Sequence, residues 1–409
     1  MTREESERKN LVYGTATALV VGFGLFINEY VVAFAFSPDA TLSTATKWQV
    51  RGLMAGLIAG GVVLYRCRDR LDRFAMRALK LHPNGSALVM GSVAALLGVI
   101  LIETTFYSLD TIRSRRSGWV AQAPELLPGT NNARASLSVR GQTVYDVTYT
   151  IDEQYARRTA DVATTEAEHD LFFFGGSFVF GEGVEDDETL PSVVARLAPD
   201  WRVTNFGFPG HGPSQMLKRL ESDAPLRDSV RDDVTLVYVF IPGHVRRVIG
   251  SMRVATSWGR NFPSYALDAD AEPRLSGTFS DSRPILSRAY ALFSRERILK
   301  YYGVDIPLRI RAQHLQLTAR VIAAARDRLL ERYGSDEFYV VLYPSNPRDE
   351  FSAKDFIPYL DVADLSYFDY TDLFDDDGAY RLPHDDHPTP LAHEKVGTRL
   401  ARDLGLGTL

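Results

Sequence analysis

The hydrophobic pattern divides the chain into two parts. Three long apolar stretches lie in the first 110 residues, whereas the remainder alternates short apolar runs with polar, acidic segments. A helix crosses the hydrocarbon core of a membrane with about 20 residues, in a range of roughly 17 to 25. The pattern therefore predicts three transmembrane helices, at about 11–36, 48–66 and 86–107.

The second apolar stretch is the shortest, because its charge-free part runs only from Gly52 to Tyr65. A buried helix of a soluble domain is the alternative for this stretch. A signal peptide is the alternative for the first, although that apolar run is too long for one. Gly52, Gly56 and Gly60 lie four residues apart on one helix face, and such a face lets two membrane helices approach closely. The spacing favours a span.

Basic residues predict the orientation in the membrane. Six of them lie between the second and third stretches, whereas the preceding loop has only Lys47 before the boundary residue Arg51. The six are Arg66, Arg68, Arg70, Arg73, Arg77 and Lys80. The positive-inside rule places the 66–85 loop in the cytoplasm and the C-terminal part outside. We therefore expect an integral protein of a bacterial-type inner or plasma membrane with an extracytoplasmic domain.

Composition excludes several kinds of site. The net charge is −6 and no basic patch occurs, which argues against nucleic acid as a partner. The single cysteine, Cys67, lies in the predicted cytoplasmic loop. The outer domain therefore has no disulfide, thiol nucleophile or cysteine metal site. Neither a cofactor nor a bound metal is predicted.

The region after the membrane part is predicted to be a linker at 111–143 followed by one domain at 144–409. Strand-like apolar runs alternate with helical patterns in that domain, which indicates an α/β fold with a parallel sheet covered on both faces. The predicted strands are Leu171–Phe174, Val203–Phe206, Val234–Ile241 and Phe338–Tyr343, and the predicted helices are 189–197, 312–333 and 391–404. The segment 251–311 fits no strand–helix unit and is predicted to be an insertion over the active-site edge.

The candidate chemistry begins where the first strand ends. The sequence LFFFGGSFVFGEG leaves Ser177 exposed at the carboxyl edge of the strand, where open α/β sheets place their sites. Near the C-terminus, HDDHPTP offers His387 as a base for that nucleophile. An α/β-hydrolase elbow is excluded, because it needs glycine where this chain has Val179.

Three ordered blocks then resemble the SGNH hydrolases of the GDSL lipase/acylhydrolase superfamily. Gly-Gly-Ser177-Phe resembles the first block, with Gly176 where the family often has aspartate. The segment from Asn205 to Gly210 resembles the second, and the segment from Asp385 to Pro388, with His393, resembles the last. The resemblance covers residues 170–404. It implies a three-layer, flavodoxin-like fold and ester hydrolysis through an acyl-enzyme, with the N–H groups of Ser177 and Gly210 in the oxyanion hole.

Two departures from the family pattern affect the site. The third block should supply an asparagine after the strand at 234–241, but this chain has Ile-Pro-Gly-His244. We hypothesise that His244 replaces the missing oxyanion donor; a loop histidine without a role is the alternative. The family's usual acid position holds His384. Asp385 is favoured over Asp386 as the acid, because residues two apart on an extended loop face the same side.

These observations leave several alternatives open. The preferred function is a membrane-anchored serine ester hydrolase acting on an ester or acylated glycan. The alternatives are an O-acyltransferase or deacetylase of cell-envelope glycans, the former with a membrane partner that supplies the acyl donor, and a non-catalytic envelope protein. Histidines and aspartates at 384–387 with His393 could instead bind a metal. Arg246 and Arg247 are weak candidates for binding an anionic substrate, with solvent-facing arginines as the alternative.

Overall fold

The computed structural model describes residues 14, 17, 18, 21, 44–79, 103, 106, 119–160, 167–227, 233–344, 346, 348–375 and 378–406. The chain divides into two compact units. The first comprises Met1–Arg113 and Phe293–Leu308, and the second comprises Ser114–Leu292 and Arg309–Leu409.

The described part of the first unit contains one helix that could cross a membrane, judged by length and composition. Helix α1, Thr44–Leu79, includes the apolar segment Val50–Arg70. The predicted span at 48–66 lies within α1, but the helix continues to Leu79 through most of the predicted 66–85 loop. The sequence explains this difference, because arginine, leucine, alanine and methionine favour helices and neither glycine nor proline occurs from Cys67 until Pro83.

The other two predicted spans, at 11–36 and 86–107, lie outside the described residues apart from a few isolated positions. The first unit also includes a segment from far along the chain, Phe293–Leu308. There the ring of Phe106 packs 5.3 Å from that of Tyr301 and 5.6 Å from that of Tyr302. Part of the predicted insertion at 251–311 therefore belongs to the unit that contains α1.

A small antiparallel sheet begins the second unit and corrects the predicted linker at 111–143. Its strands, in the order β1-β2-β3, are β1, Trp119–Gln122; β2, Ala133–Val139; and β3, Gln142–Tyr149. Alternate β2 residues, Ala135, Leu137 and Val139, are buried, and β2 pairs with β3 along its length. The sequence of β2 has this period-two pattern, but the proline, glycine and asparagine residues that precede it predict a linker.

Five parallel strands form the central sheet of the second unit, which confirms the predicted α/β class. They are β4, His169–Phe174; β5, Trp201–Asn205; β6, Asp233–Phe240; β9, Phe338–Leu342; and β10, Ser366–Asp369. Their order is β10-β9-β6-β4-β5. The four predicted strands match β4, β5, β6 and β9, because buried parallel strands are nearly continuous apolar runs.

Helices of the second unit cover both faces of this sheet. The helices in chain order are α2, Ser177–Phe180; α3, Leu190–Leu197; α4, Pro213–Leu220; α5, Gly243–Ile249; α6, Met252–Thr256; α7, Phe279–Ser282; α8, Pro284–Phe293; α9, Arg297–Tyr301 in the first unit; α10, Ala312–Tyr333; α11, Ile357–Val362; and α12, Pro390–Asp403. Two 3-10 turns lie at Asp186–Glu188 and Ala353–Phe356, and a hairpin of β7, Pro263–Leu267, and β8, Pro273–Thr278, lies in the insertion.

Side chains of β4 alternate between two hydrophobic cores. Phe172 and Phe174 pack in the core that includes α4 and α10, whereas Leu171 and Phe173 pack in the core with α3 and α12. The chain passes from β4 to β5 on one side and then to β6 on the other. The strand order therefore reverses at β4, and its carboxyl end is the crevice where such sheets bind ligands.

Candidate active site

The turn after β4 presents Ser177 at this crevice. Strand β4 ends at Phe174, and the single-turn helix α2 begins with Ser177 and ends at Gly181 in the left-handed conformation, with φ of 82°. A Cβ on Gly175 would come within 2.5 Å of Val179 and 3.3 Å of a backbone oxygen of β6. Only glycine lets the chain turn this tightly beneath the serine.

A buried arginine holds the loop that follows the serine. Arg157 is 2% exposed, and its guanidinium donates hydrogen bonds to the carbonyl oxygens of Phe180 and Gly181 at 2.6 Å and of Val184 at 2.8 Å. Its Nε also pairs with Asp186 at 2.9 Å. Carbonyl groups after a short helix otherwise lack partners, so Arg157 satisfies and fixes them.

Ser177, His387 and Asp385 lie in one hydrogen-bonded row. The Oγ atom of Ser177 is 2.9 Å from Nε2 of His387, and Nδ1 of His387 is 2.6 Å from Oδ1 of Asp385. Nucleophile, base and orienting acid are thus all within hydrogen-bond reach, as activation of a serine hydroxyl requires. The predicted catalytic residues come together although 210 positions separate the serine from the histidine in sequence.

The loop before α12 selects which acid contacts His387. His384 adopts a left-handed φ of 63° and is exposed. This turn directs Asp385 back to accept the backbone N–H of His387 at 3.1 Å as well as its ring N–H. Asp386 instead accepts two hydrogen bonds from Arg348, at 2.8 and 2.9 Å, on the exposed side. The acid that faces the base is therefore Asp385.

Charged neighbours favour the protonated form of His387. Burial lowers the pKa of His387, but the hydrogen bond with Asp385 and the negative charges of Glu182 and Asp385 outweigh burial and leave the pKa raised. The nearest Glu182 oxygen lies 3.4 Å from Nε2. For Asp385, burial raises the pKa, but the hydrogen bond and charge of His387 leave it lowered. The row therefore stabilises the imidazolium that forms when the serine loses its proton.

The loop after β5 approaches the serine from one side. Asn205 is fully buried; its amide donates to the carbonyl of Val179 at 2.9 Å, and its Oδ1 accepts the N–H of Gly207 at 2.9 Å. Gly210 has a φ of 81°. The N–H groups of Ser177 and Gly210 donate to no acceptor among the described residues. Two backbone donors thus remain available near the nucleophile.

The predicted insertion contributes a wall beside Gly210. A Cβ on Gly210 would lie 2.8 Å from the indole of Trp258, which follows α6. Further along, the ring of Phe262 packs edge-on at 5.7 Å from that of His211. The first part of the 251–311 segment therefore lies at the crevice.

The loop after β6 brings His244 to the other side of the site. His244 is 1% exposed, its Nδ1 lies 2.5 Å from the hydroxyl of Tyr238, and its Nε2 has no partner in the described part of the chain. A Cβ on Gly176 would lie 3.0 Å from that Nε2. Burial, assisted by the charge of Arg247, lowers the pKa of His244 well below its ordinary value, so the ring is neutral.

The two arginines after His244 have different surroundings. Arg246, a weak candidate for substrate binding from the sequence, forms a double hydrogen bond with Glu350, with Nε–Oε2 at 2.7 Å and Nη2–Oε1 at 2.9 Å. Arg247 instead donates from Nη1 to the carbonyl oxygen of His211. The guanidinium of Arg246 is therefore paired with Glu350, whereas that of Arg247 lies beside Gly176.

The last block does not assemble a metal site. His393 is fully buried in α12, and burial lowers its pKa to about 3. Asp386 is paired with Arg348, and His384 points to solvent-exposed surface. Among the described residues, no group of three or more histidine, cysteine, aspartate or glutamate side chains is arranged to bind a metal.

Sequence reasoning missed Arg157 and Glu182. The partners of Arg157 are mainly backbone carbonyls, which no residue pattern reveals. Glu182 lies five residues after Ser177, beyond the short helix α2. The sequence points to Glu182 only through its position in the loop that follows Ser177.

Comparison with known proteins finds matches among solved structures alone. No protein-family model matches the chain, and no curated protein matches it. A solved protein from Desulfitobacterium hafniense, described as lipolytic and of the G-D-S-L family, is similar over 57% of this chain and 98% of its own, with 12% sequence identity and a TM-score of 0.33. At this identity and TM-score, the likeness assigns no chemistry to this chain.

Proposed function

We propose that this protein is a serine ester hydrolase of the SGNH type. The observation that carries the proposal is the hydrogen-bonded row of Ser177, His387 and Asp385 at the carboxyl end of β4. A serine hydroxyl is a weak nucleophile until an adjacent base accepts its proton, and the base needs a partner that fixes its tautomer. All three functions are provided by side chains from two distant loops.

In the first step, Oγ of Ser177 attacks the carbonyl carbon of the ester while Nε2 of His387 takes the hydroxyl proton. Asp385, held on Nδ1, stabilises the imidazolium. Collapse of the tetrahedral intermediate breaks the bond to the alcohol oxygen, which takes the proton from Nε2 and leaves as the alcohol. The acyl group then remains on Ser177.

Three N–H donors are proposed for the oxyanion of that intermediate. Two are the backbone N–H groups of Ser177 and Gly210, which have no protein acceptor in the described structure. The third is Nε2–H of His244. A neutral imidazole carries one N–H, and donation by the Tyr238 hydroxyl to Nδ1 leaves the proton on Nε2. His244 then supplies the donor that the family takes from asparagine.

Water completes the reaction. His387 removes a proton from the water as the oxygen attacks the acyl carbon, and the proton returns to Oγ of Ser177 when the acid leaves. The carboxylate of Glu182, 3.4 Å from Nε2, is suited to orient that water by accepting its second hydrogen. The second half of the reaction thus uses the same base as the first.

Helix α1 supports the proposal that the enzyme is attached to a membrane. The apolar side chains within its predicted span include Trp48, Val62 and Val63, which are 66%, 43% and 59% exposed. Apolar side chains that are exposed on a long helix are unfavourable in water, but they are favourable when lipid surrounds the helix. We propose an integral membrane protein of three spans, with the catalytic unit on the extracytoplasmic side according to the positive-inside rule.

The proposed function is tested by turnover of p-nitrophenyl acetate with the full chain in detergent. We expect hydrolysis by the wild type and loss of at least about 1000-fold with Ser177→Ala. Ser366→Ala, at an exposed serine of the edge strand β10, is the control and should keep the wild-type rate. Equal rates in wild type and Ser177→Ala would refute the proposal. Adding sugar acceptors and measuring acetylated sugar against free acetate separates hydrolysis from acyl transfer.

A further inference from the structure

Arg247 is a charged residue beside the nucleophile that the proposed reaction does not use. It follows β6 on helix α5, one position after Arg246, whose charge is balanced by Glu350. Its Nη1 donates to the carbonyl oxygen of His211. No carboxylate of the described residues lies within ion-pair distance of Arg247.

The guanidinium occupies the space next to the residue before Ser177. A Cβ on Gly176 would collide with Nη1 of Arg247, and would lie 3.0 Å from Nε2 of His244 and 3.2 Å from the His211 carbonyl. Here the absence of a side chain leaves room for a cation within the nucleophile's surroundings.

The charge of Arg247 is incompletely balanced. Burial lowers its pKa to about 10, so the guanidinium stays charged at neutral pH. Burial also lowers the pKa of His211 to about 4, which leaves that ring neutral, and His244 is neutral as well. The carboxylate of Glu182 acts on Arg247 only from beyond ion-pair distance, and lies closest to His387. A partly buried charge without a paired counterion is destabilising.

We propose that Arg247 is a specificity-determining residue that binds an anionic group of the substrate, a carboxylate or phosphate on the acyl or the alcohol part of the ester. The inference rests on the proposed ester hydrolysis at Ser177. The planar guanidinium suits such groups, because it can donate two parallel hydrogen bonds to their oxygens. The substrate would then supply the negative charge that balances Arg247.

Matched ester pairs test this with the full chain in detergent. One pair places the charge on the acyl part, p-nitrophenyl hemisuccinate against p-nitrophenyl butyrate; the other places it on the alcohol part, 4-carboxyphenyl acetate against phenyl acetate. We expect Arg247→Gln to lower the ratio of kcat/KM for the charged ester over the neutral ester by about 10- to 100-fold in one pair. Arg247→Lys should retain part of the ratio, and Arg196→Gln, a surface change on α3, should leave it unchanged.

Equal losses on charged and neutral esters, or an unchanged ratio in both pairs, would overturn the proposal. Failure of the proposed function has a different signature, which is the absence of Ser177-dependent turnover of every ester. Calorimetric titration of the Ser177→Ala protein with succinate and with inorganic phosphate then decides without catalysis. Binding that is lost on adding Arg247→Gln supports the anion site, and absent or Arg247-independent binding overturns it.

Discussion

The two sides of the candidate site follow the family pattern to different degrees. On one side, Ser177, Asp385 and His387 occupy the expected positions and form a hydrogen-bonded row. On the other, the loop after β6 carries His244 and Arg247 where an asparagine is usual. Proton transfer demands a hydroxyl, an imidazole and a carboxylate in fixed geometry, whereas an oxyanion needs only N–H donors, which many residues can supply. The second side is therefore the one that can vary.

The largest expected effect comes from Asp385→Asn, on the side of the site that contains Ser177 and His387. The amide would hold His387 in the wrong tautomer, so we expect kcat to fall by roughly 10⁴-fold. Asp386→Asn is the matched control, because it removes only a hydrogen-bonded pair with Arg348 at the surface. Steady-state kinetics measures both variants; a larger loss in Asp386→Asn would reverse the assignment of the acid.

The second prediction concerns Arg157, which holds the loop that follows Ser177, and its effect on the stability of the fold. Arg157→Met leaves Asp186 and three buried carbonyl groups without their partner, so we expect the free energy of unfolding to fall by about 3 to 5 kcal/mol. Arg158→Met, at the exposed neighbouring position, should change it by less than about 0.5 kcal/mol. Denaturant titration compares the two. Similar stabilities would show that Arg157 does not hold this loop.

A third prediction addresses the unusual side directly. His244→Ala removes the proposed third oxyanion donor, so we expect kcat to fall by about 100- to 1000-fold. His244→Asn restores the family's donor type and should recover part of the loss. Unchanged turnover in His244→Ala, with the unfolding transition retained, would show that this side of the site has no catalytic donor at that position.

The smallest expected effect is a shift in pH dependence. His387 acts as a base only when deprotonated, so activity rises as the pH passes upward through its raised pKa. Glu182→Gln removes a negative charge that favours the protonated ring, and should move the acidic limb of the kcat/KM profile to lower pH by about 1 unit. Glu394→Gln, an exposed change on α12, should not move the limb. A shift to higher pH with Glu182→Gln would contradict the account.

A strand or helix can be predicted from the sequence only where its burial produces a recognisable pattern of apolar residues. Strands β4, β5, β6 and β9 are recognisable because both of their faces are buried. The edge strand β10, Ser366–Asp369, is short and largely exposed, so its residues carry no such run. Around strands β1 and β2, the proline, glycine and asparagine residues that separate them predict a linker instead.

The candidate site shows the same division. Ser177 and His387 are recognisable because their flanking glycines, aspartate and proline are local in sequence. The sequence argument for Asp385 over Asp386 assumes an extended loop, whereas the chain turns at His384 and Asp385 contacts His387 by accepting the N–H of the residue two positions on. The role of Arg157 depends on contacts with distant backbone carbonyl groups, and such contacts leave no local pattern. Which of Arg246 and Arg247 faces the site likewise depends on a distant residue, Glu350, which pairs with Arg246.

Labelling with a fluorophosphonate, followed by peptide mass spectrometry, tests the central claim most directly. The account predicts one phosphonylated residue, Ser177, with labelling lost in Ser177→Ala and strongly reduced in His387→Ala, because the base activates the hydroxyl. Phosphonylation of another serine at the wild-type rate in Ser177→Ala, or undiminished labelling of Ser177 in His387→Ala, would contradict it.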